Sequence, residues 1–131
     1  MIGPLIGMVH LGPLPGAPRF ADNLEQVLAD ACADARTLAE AGFDALLVEN
    51  YGDVPFFADR VPPATVAALT RAVTEVRRSV GVPVGVNVLR NDAPAALAIA
   101  AATGAAFIRV NVLTGTMYAD QGPLIGRAAE V

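Results

Sequence analysis

The sequence predicts an α/β chain in which strands and helices alternate, on three observations. Short apolar runs rich in Val, Leu and Ile recur along the chain, each about the length of one strand. Segments with apolar residues at helical spacing lie between them and stop at glycine. The runs also share a rhythm: "EAGFDALLVEN" and "ATGAAFIRVNV" both read helix end, glycine, short turn, strand and polar tip.

The first run is Leu5 to His10, followed by "LGPLPGAPRF", whose prolines and glycines forbid helix and regular strand alike. Asp22 or Asn23 can then cap a helix whose apolar residues fall at 24, 27, 28, 31, 35 and 38, ending at Gly42. Asp44 to Asn50 is the second run. A polar and aromatic loop leads to "PPATVAALTRAVTEVRRSVG", with prolines before the helix and Gly81 after it. "VPVGVNVL" is the third run, and "DAPAALAIAAATG" the third helix, with Pro94 in its first turn, Asp92 as its cap and Gly104 at its end. "AAFIRVNVL" is the fourth run, and Gln121 to Val131 reads as the opening of another helix.

Strands alternating with helices indicate parallel strands joined by right-handed crossovers. A nucleotide-binding doubly wound sheet calls for a glycine-rich turn directly after the first strand and opening a helix. Here the loop after Val9 carries prolines that remove backbone donors, and its glycines lie far from Asp22. A (β/α)8 barrel accounts better for polar strand ends, because its sites are assembled where strands meet the following loops. Such a barrel takes about 250 residues, so 131 residues supply about half of one, four parallel strands with covering helices. The expectation is one domain over 1–131, the N-terminal half of a TIM-barrel-like unit. A fragment is the first explanation of that length, and a half-barrel that pairs with a second copy is the other.

Composition narrows the function classes. A hydrophobic content of 54% excludes a disordered tail, and no apolar run approaches the length of a membrane span. The apolar N-terminus lacks a basic segment and contains Pro and Gly, so it does not read as a signal peptide. One cysteine, Cys32, rules out an internal disulfide framework and fits a reducing, cytoplasmic setting. Net charge is −4 and the basic residues are scattered, which is no footprint for nucleic acid. All nine are arginine, so neither a Schiff-base lysine nor a Walker-type lysine exists in this chain.

On the barrel reading, the strand tips present His10, then Glu49 with Asn50, then Asn87 with Arg90 and Asn91, then Arg109 with Asn111. Glu49 and Asp53 are the candidate acid or base; His10, Asn50, Asn87, Asn91, Arg109 and Asn111 are the candidate substrate-binding residues. Each also has a structural reading. A lone His is often a satisfied structural residue, Glu49 can pair with Arg109, Asn87 and Asn111 can bond each other or a loop backbone, and Asp53 follows Gly52 in a turn. His10, Glu49 and Asp53 share no recognised metal-ligand spacing, so no metal site is assigned and no cofactor is named. Alternation leaves open which of Glu49 and Asn50 points inward.

Three segments, M-V-H-L-x-P-L-P-G at 8–16, V-E-N-Y-x-D-x-P-F at 48–56 and G-V-N-V-L-x-N-D at 85–92, resemble the BtpA family, which includes SgcQ-like proteins. The resemblance extends over 6–20, 44–57 and 83–131, and its matching positions are His10, Glu49, Asn50, Asp53, Asn87, Asn91, Asn111 and Asp120. The resemblance implies a TIM-barrel-like fold and a chain that continues beyond Val131. It also implies one of two roles: biogenesis of photosystem I or another membrane complex, reached through a protein partner at the membrane periphery, or action on a nucleoside or phosphorylated sugar. Taken alone, a half-barrel with open sheet edges is expected to self-associate.

Overall fold

The computed structural model describes residues 2–131. Its order is β1 (Ile6–His10), α1 (Leu24–Glu40), β2 (Ala45–Glu49), α2 (Pro63–Ser79), β3 (Val84–Asn87), α3 (Ala93–Thr103), β4 (Phe107–Ile108), β5 (Thr116–Ala119), β6 (Gly122–Ile125) and a 3-10 turn at Ala128–Glu130. Strands β1 to β4 form one parallel sheet in sequential order. These four strands and three helices make about half of a TIM-barrel-like fold.

Local chemistry sets each boundary. Asn23 caps α1 by accepting the Gln26 N–H at 3.1 Å, and Asp92 caps α3 by accepting the Ala95 N–H at 3.0 Å. Pro63 opens α2, where its missing N–H is no loss. Gly104 closes α3 at a φ of +71°, a left-handed conformation that glycine takes without strain.

The sheet has two working faces. Val9, Val48 and Val86 face the helices and join Leu28, Ala35, Leu69, Val73 and Ile99 in one core. Truncating Leu69 or Ile99 to Ala costs about 2–5 kcal/mol in such a setting. The opposite face carries Met8, Leu47, Gly85 and Phe107, which stand in register across the four strands. A Cβ on Gly85 would meet the Phe107 ring at 2.4 Å, so the glycine leaves the room that the ring occupies. One step further along each strand lies the polar row described below.

Two expectations are corrected. Gln121 to Val131 does not open a helix: Gly122 turns the chain at a φ of +96°, and β5 and β6 pair as an antiparallel hairpin before the 3-10 turn. Pro123 lacks a donor and suits this two-stranded ladder, where it lies opposite Tyr118. The fourth strand is also shorter than "AAFIRVNVL", because its ladder stops soon after Ile108. Asn91 takes the Val112 N–H at 2.8 Å and donates to the Val112 carbonyl at 3.1 Å, so the backbone of Val112 bonds to a side chain of the segment after β3 and not to a strand.

Candidate functional site

The polar row is a direct consequence of register. His10 pairs with Glu49 and Glu49 with Asn87 across the parallel ladders, and the pairing of Val86 with Ile108 brings Arg109 beside Asn87. Residues in register on neighbouring parallel strands share a face, so four tips point to one side. A one-residue slip in any strand would turn its tip toward the helices.

Glu49 is the centre of the row and only 4% exposed. Its Oε1 accepts from Asn87 Nδ2 at 2.8 Å and from Arg109 Nη1 at 3.0 Å. Its Oε2 lies 3.4 Å from His10 Nε2. Asn87 Nδ2 also donates to Asn111 Oδ1 at 2.9 Å, so that amide nitrogen joins the carboxylate to the loop after β4. The His10 ring stacks on Tyr51 with centroids 4.3 Å apart and planes within 12°. A carboxylate removed from water needs such partners, since burial without them costs several kcal/mol.

Arg109 and His10 differ from Glu49 in accessibility. The Arg109 side chain is 53% exposed and that of His10 is 44% exposed. The arrangement therefore buries an acceptor beneath two donors that still meet solvent. It can accept hydroxyl protons at Glu49, offer the Asn87 carbonyl oxygen to a donor, and attract an anionic group to Arg109.

The choice between Glu49 and Asn50 resolves in favour of Glu49. Asn50 lies on the other side of β2, buried, with its Oδ1 accepting the Leu89 N–H at 2.7 Å and its Nδ2 donating to the Leu89 carbonyl at 3.2 Å. Its Nδ2 also donates to Asp53 Oδ2 at 3.1 Å. Asp53 Oδ1 accepts the Leu14 N–H at 2.8 Å, which ties the loop after β2 to the loop after β1. Gly52 permits this approach, because a Cβ there would meet the backbone of Gly12 and Pro13 within 2.5 Å. Burial pushes the Asp53 carboxyl above its ordinary value, against the downward pull of its two hydrogen bonds.

The sequence-predicted residues thus divide. His10, Glu49, Asn87, Arg109 and Asn111 come together; Asn50, Asp53 and Asn91 do not join them and instead brace loops. Asp120 lies exposed in the hairpin turn. Tyr51 was not singled out by the sequence reading, although an aromatic directly after a polar strand tip was the available signal. Among the described residues, no group of three or more His, Cys, Asp or Glu is placed to hold a metal ion.

The BtpA family model matches residues 1–131. The chain belongs to the BtpA family. Within it, an uncharacterized protein of Thermococcus kodakarensis is 53% identical over 130 residues, covering 98% of this chain and 49% of the relative. Photosystem I biogenesis protein BtpA of Synechocystis sp. is 52% identical over 128 residues, covering 98% of this chain and 45% of the relative. SgcQ of Escherichia coli is 38% identical over 120 residues, covering 90% of this chain and 44% of the relative. The chain spans about half the length of the curated BtpA relatives it matches. No solved structure matches it.

Proposed function

We propose that this BtpA family chain supplies half of the mouth of a TIM-barrel-like enzyme that acts on a nucleoside or a phosphorylated sugar. The observation that supports this reading is the convergence of His10, Asn87 and Arg109 on the buried carboxylate of Glu49. In this reading Glu49 is the acid or base, Asn87 and Asn111 orient ligand hydroxyls, and Arg109 with His10 meets an anionic group. Asp53 braces the loop that carries Tyr51 and has no part in the chemistry.

A thermal-shift panel of nucleosides and sugar phosphates, run with and without divalent metal, tests the proposal. A stabilising hit supports it, and a blank panel on well-folded protein counts against it. A second reading is favoured by the name of the Synechocystis relative, a photosystem I biogenesis protein. There the barrel is a docking body for a membrane complex. Among the described residues no helix is long and apolar enough to cross a membrane, so the contact would run through a protein partner. Co-purification of a membrane-complex subunit with the tagged protein supports that second reading, and its absence from solubilised membranes counts against it.

A further inference from the structure

Beside the strand-tip row, and sharing no residue with it, lies a cavity of about 150 Å³. It sits between the loop after β1, the loop after β2 and the first turn of α2. Its walls are apolar and include Pro18, Pro55, Phe56 and Leu89. That volume holds one ring of benzene size.

Contacts within the chain brace the walls. Arg90 stands 5.7 Å from the centre of the Phe56 ring, and its N–H donates to the Phe57 carbonyl at 3.1 Å. Asp92 accepts the Val61 N–H at 2.9 Å and so anchors the approach to α2. A preformed apolar cleft with a few polar groups is the usual form of a small-molecule site.

Two polar groups line this cleft, Asp53 and Thr65, beside the fully engaged Asn50. Thr65 is 6% exposed. Thr37, Thr70, Thr74 and Thr103 each donate to the carbonyl four residues back in their helix. Thr65 cannot, because it is the third residue of α2 and the residue four back, Val61, precedes the helix. Thr65 borders the cavity, and its hydroxyl is not taken up by the helix bond that engages the other four threonines. The Asp53 carboxylate accepts one hydrogen bond at each oxygen and retains further lone pairs.

We propose that this cavity binds one flat, uncharged nitrogen heterocycle that presents an N–H beside a carbonyl, the edge of a uracil-type base. The Asp53 carboxylate accepts from the ring N–H, the Thr65 hydroxyl donates to the ring carbonyl, and Phe56 with the prolines covers the ring. The site stands independently of the reading given to Glu49.

The test is titration of uracil, with benzene as comparator, into isotopically labelled protein while amide chemical shifts are followed. The expected result is saturable shifts at Phe56, Phe57 and Thr65, with benzene binding more weakly. Thr65→Val, which keeps the shape, weakens uracil binding about tenfold, the worth of one good hydrogen bond. Thr65→Ser restores it. The proposal is overturned if millimolar uracil leaves these amides unmoved, if the shifts centre on His10, Glu49 and Arg109, or if Thr65→Val binds as wild type does.

Discussion

Asn50→Ala separates a loop-bracing role for this residue from a ligand-binding one. In the folded chain Asn50 satisfies both the N–H and the carbonyl of Leu89, and donates to Asp53 as well. Truncation leaves two buried backbone groups without partners, each worth about 1–3 kcal/mol. The expected loss is about 2–6 kcal/mol, the lower end applying if water enters from the neighbouring cavity. Asn50→Asp is the sharper variant because it keeps the shape. Its carboxylate still accepts the Leu89 N–H, but it faces the Leu89 carbonyl and the Asp53 carboxylate with no proton to give. At neutral pH it is therefore at least as destabilised as the alanine variant. Burial and the facing Asp53 carboxylate raise the new carboxyl above the ordinary Asp value, so as pH falls through that raised value it becomes a donor and the gap to wild type narrows, closing furthest below about pH 4. Urea unfolding of the three proteins across pH reads both effects. A loss under about 1 kcal/mol for Asn50→Ala, or an Asn50→Asp protein as stable as wild type at neutral pH, would refute the reasoning.

Three further outcomes follow from the same contacts. Because burial raises the Asp53 pKa, its stabilising contribution is complete below the ordinary value of 3.8 and is lost as pH rises through the raised value. The margin of wild type over Asp53→Asn in urea unfolding is accordingly largest in acid and shrinks toward neutrality; a margin that grew with pH would contradict the assignment. Gly85→Ala forces a Cβ into the Phe107 ring and lowers stability by about 1–3 kcal/mol; adding Phe107→Leu recovers part of that loss, as thermal unfolding of the double variant will show. Asn91→Ala frees the Val112 N–H and carbonyl, so hydrogen exchange at Val112 accelerates while amides of β1 and β2 stay protected.

How much was legible in the sequence depends on how local its cause was. The alternation of β and α, the cap at Asp92 and the stop at Gly104 each arise from a few neighbouring residues and were readable, and the first cap was narrowed to Asp22 or Asn23. The mouth was readable in part. Polar tips on His10, Glu49, Asn87 and Arg109 stand out against apolar runs, and the pairing of Glu49 with Arg109 is one that charge alone suggests. Which of Glu49 and Asn50 faces inward depends on strand register, a property of two segments some 39 residues apart in sequence. The hairpin at 116–125 was missed because "TMYADQGPLI" has no strong apolar alternation, and its turn lies in the φ of Gly122. Asn91 looked like a ligand group because nothing local reveals that its partner is the backbone of Val112.

The central claim is that Glu49, held by His10, Asn87 and Arg109, receives a ligand hydroxyl. Calorimetric titration of the best nucleoside or sugar phosphate from the panel, into wild type and Glu49→Gln, tests it most directly. The substitution keeps one acceptor oxygen for Asn87 and Arg109 and removes the charge. Stability should change little, since relief of a buried charge offsets weaker hydrogen bonds, whereas affinity should fall at least tenfold. Unchanged affinity in Glu49→Gln, or no ligand at all for the folded protein, would contradict the account.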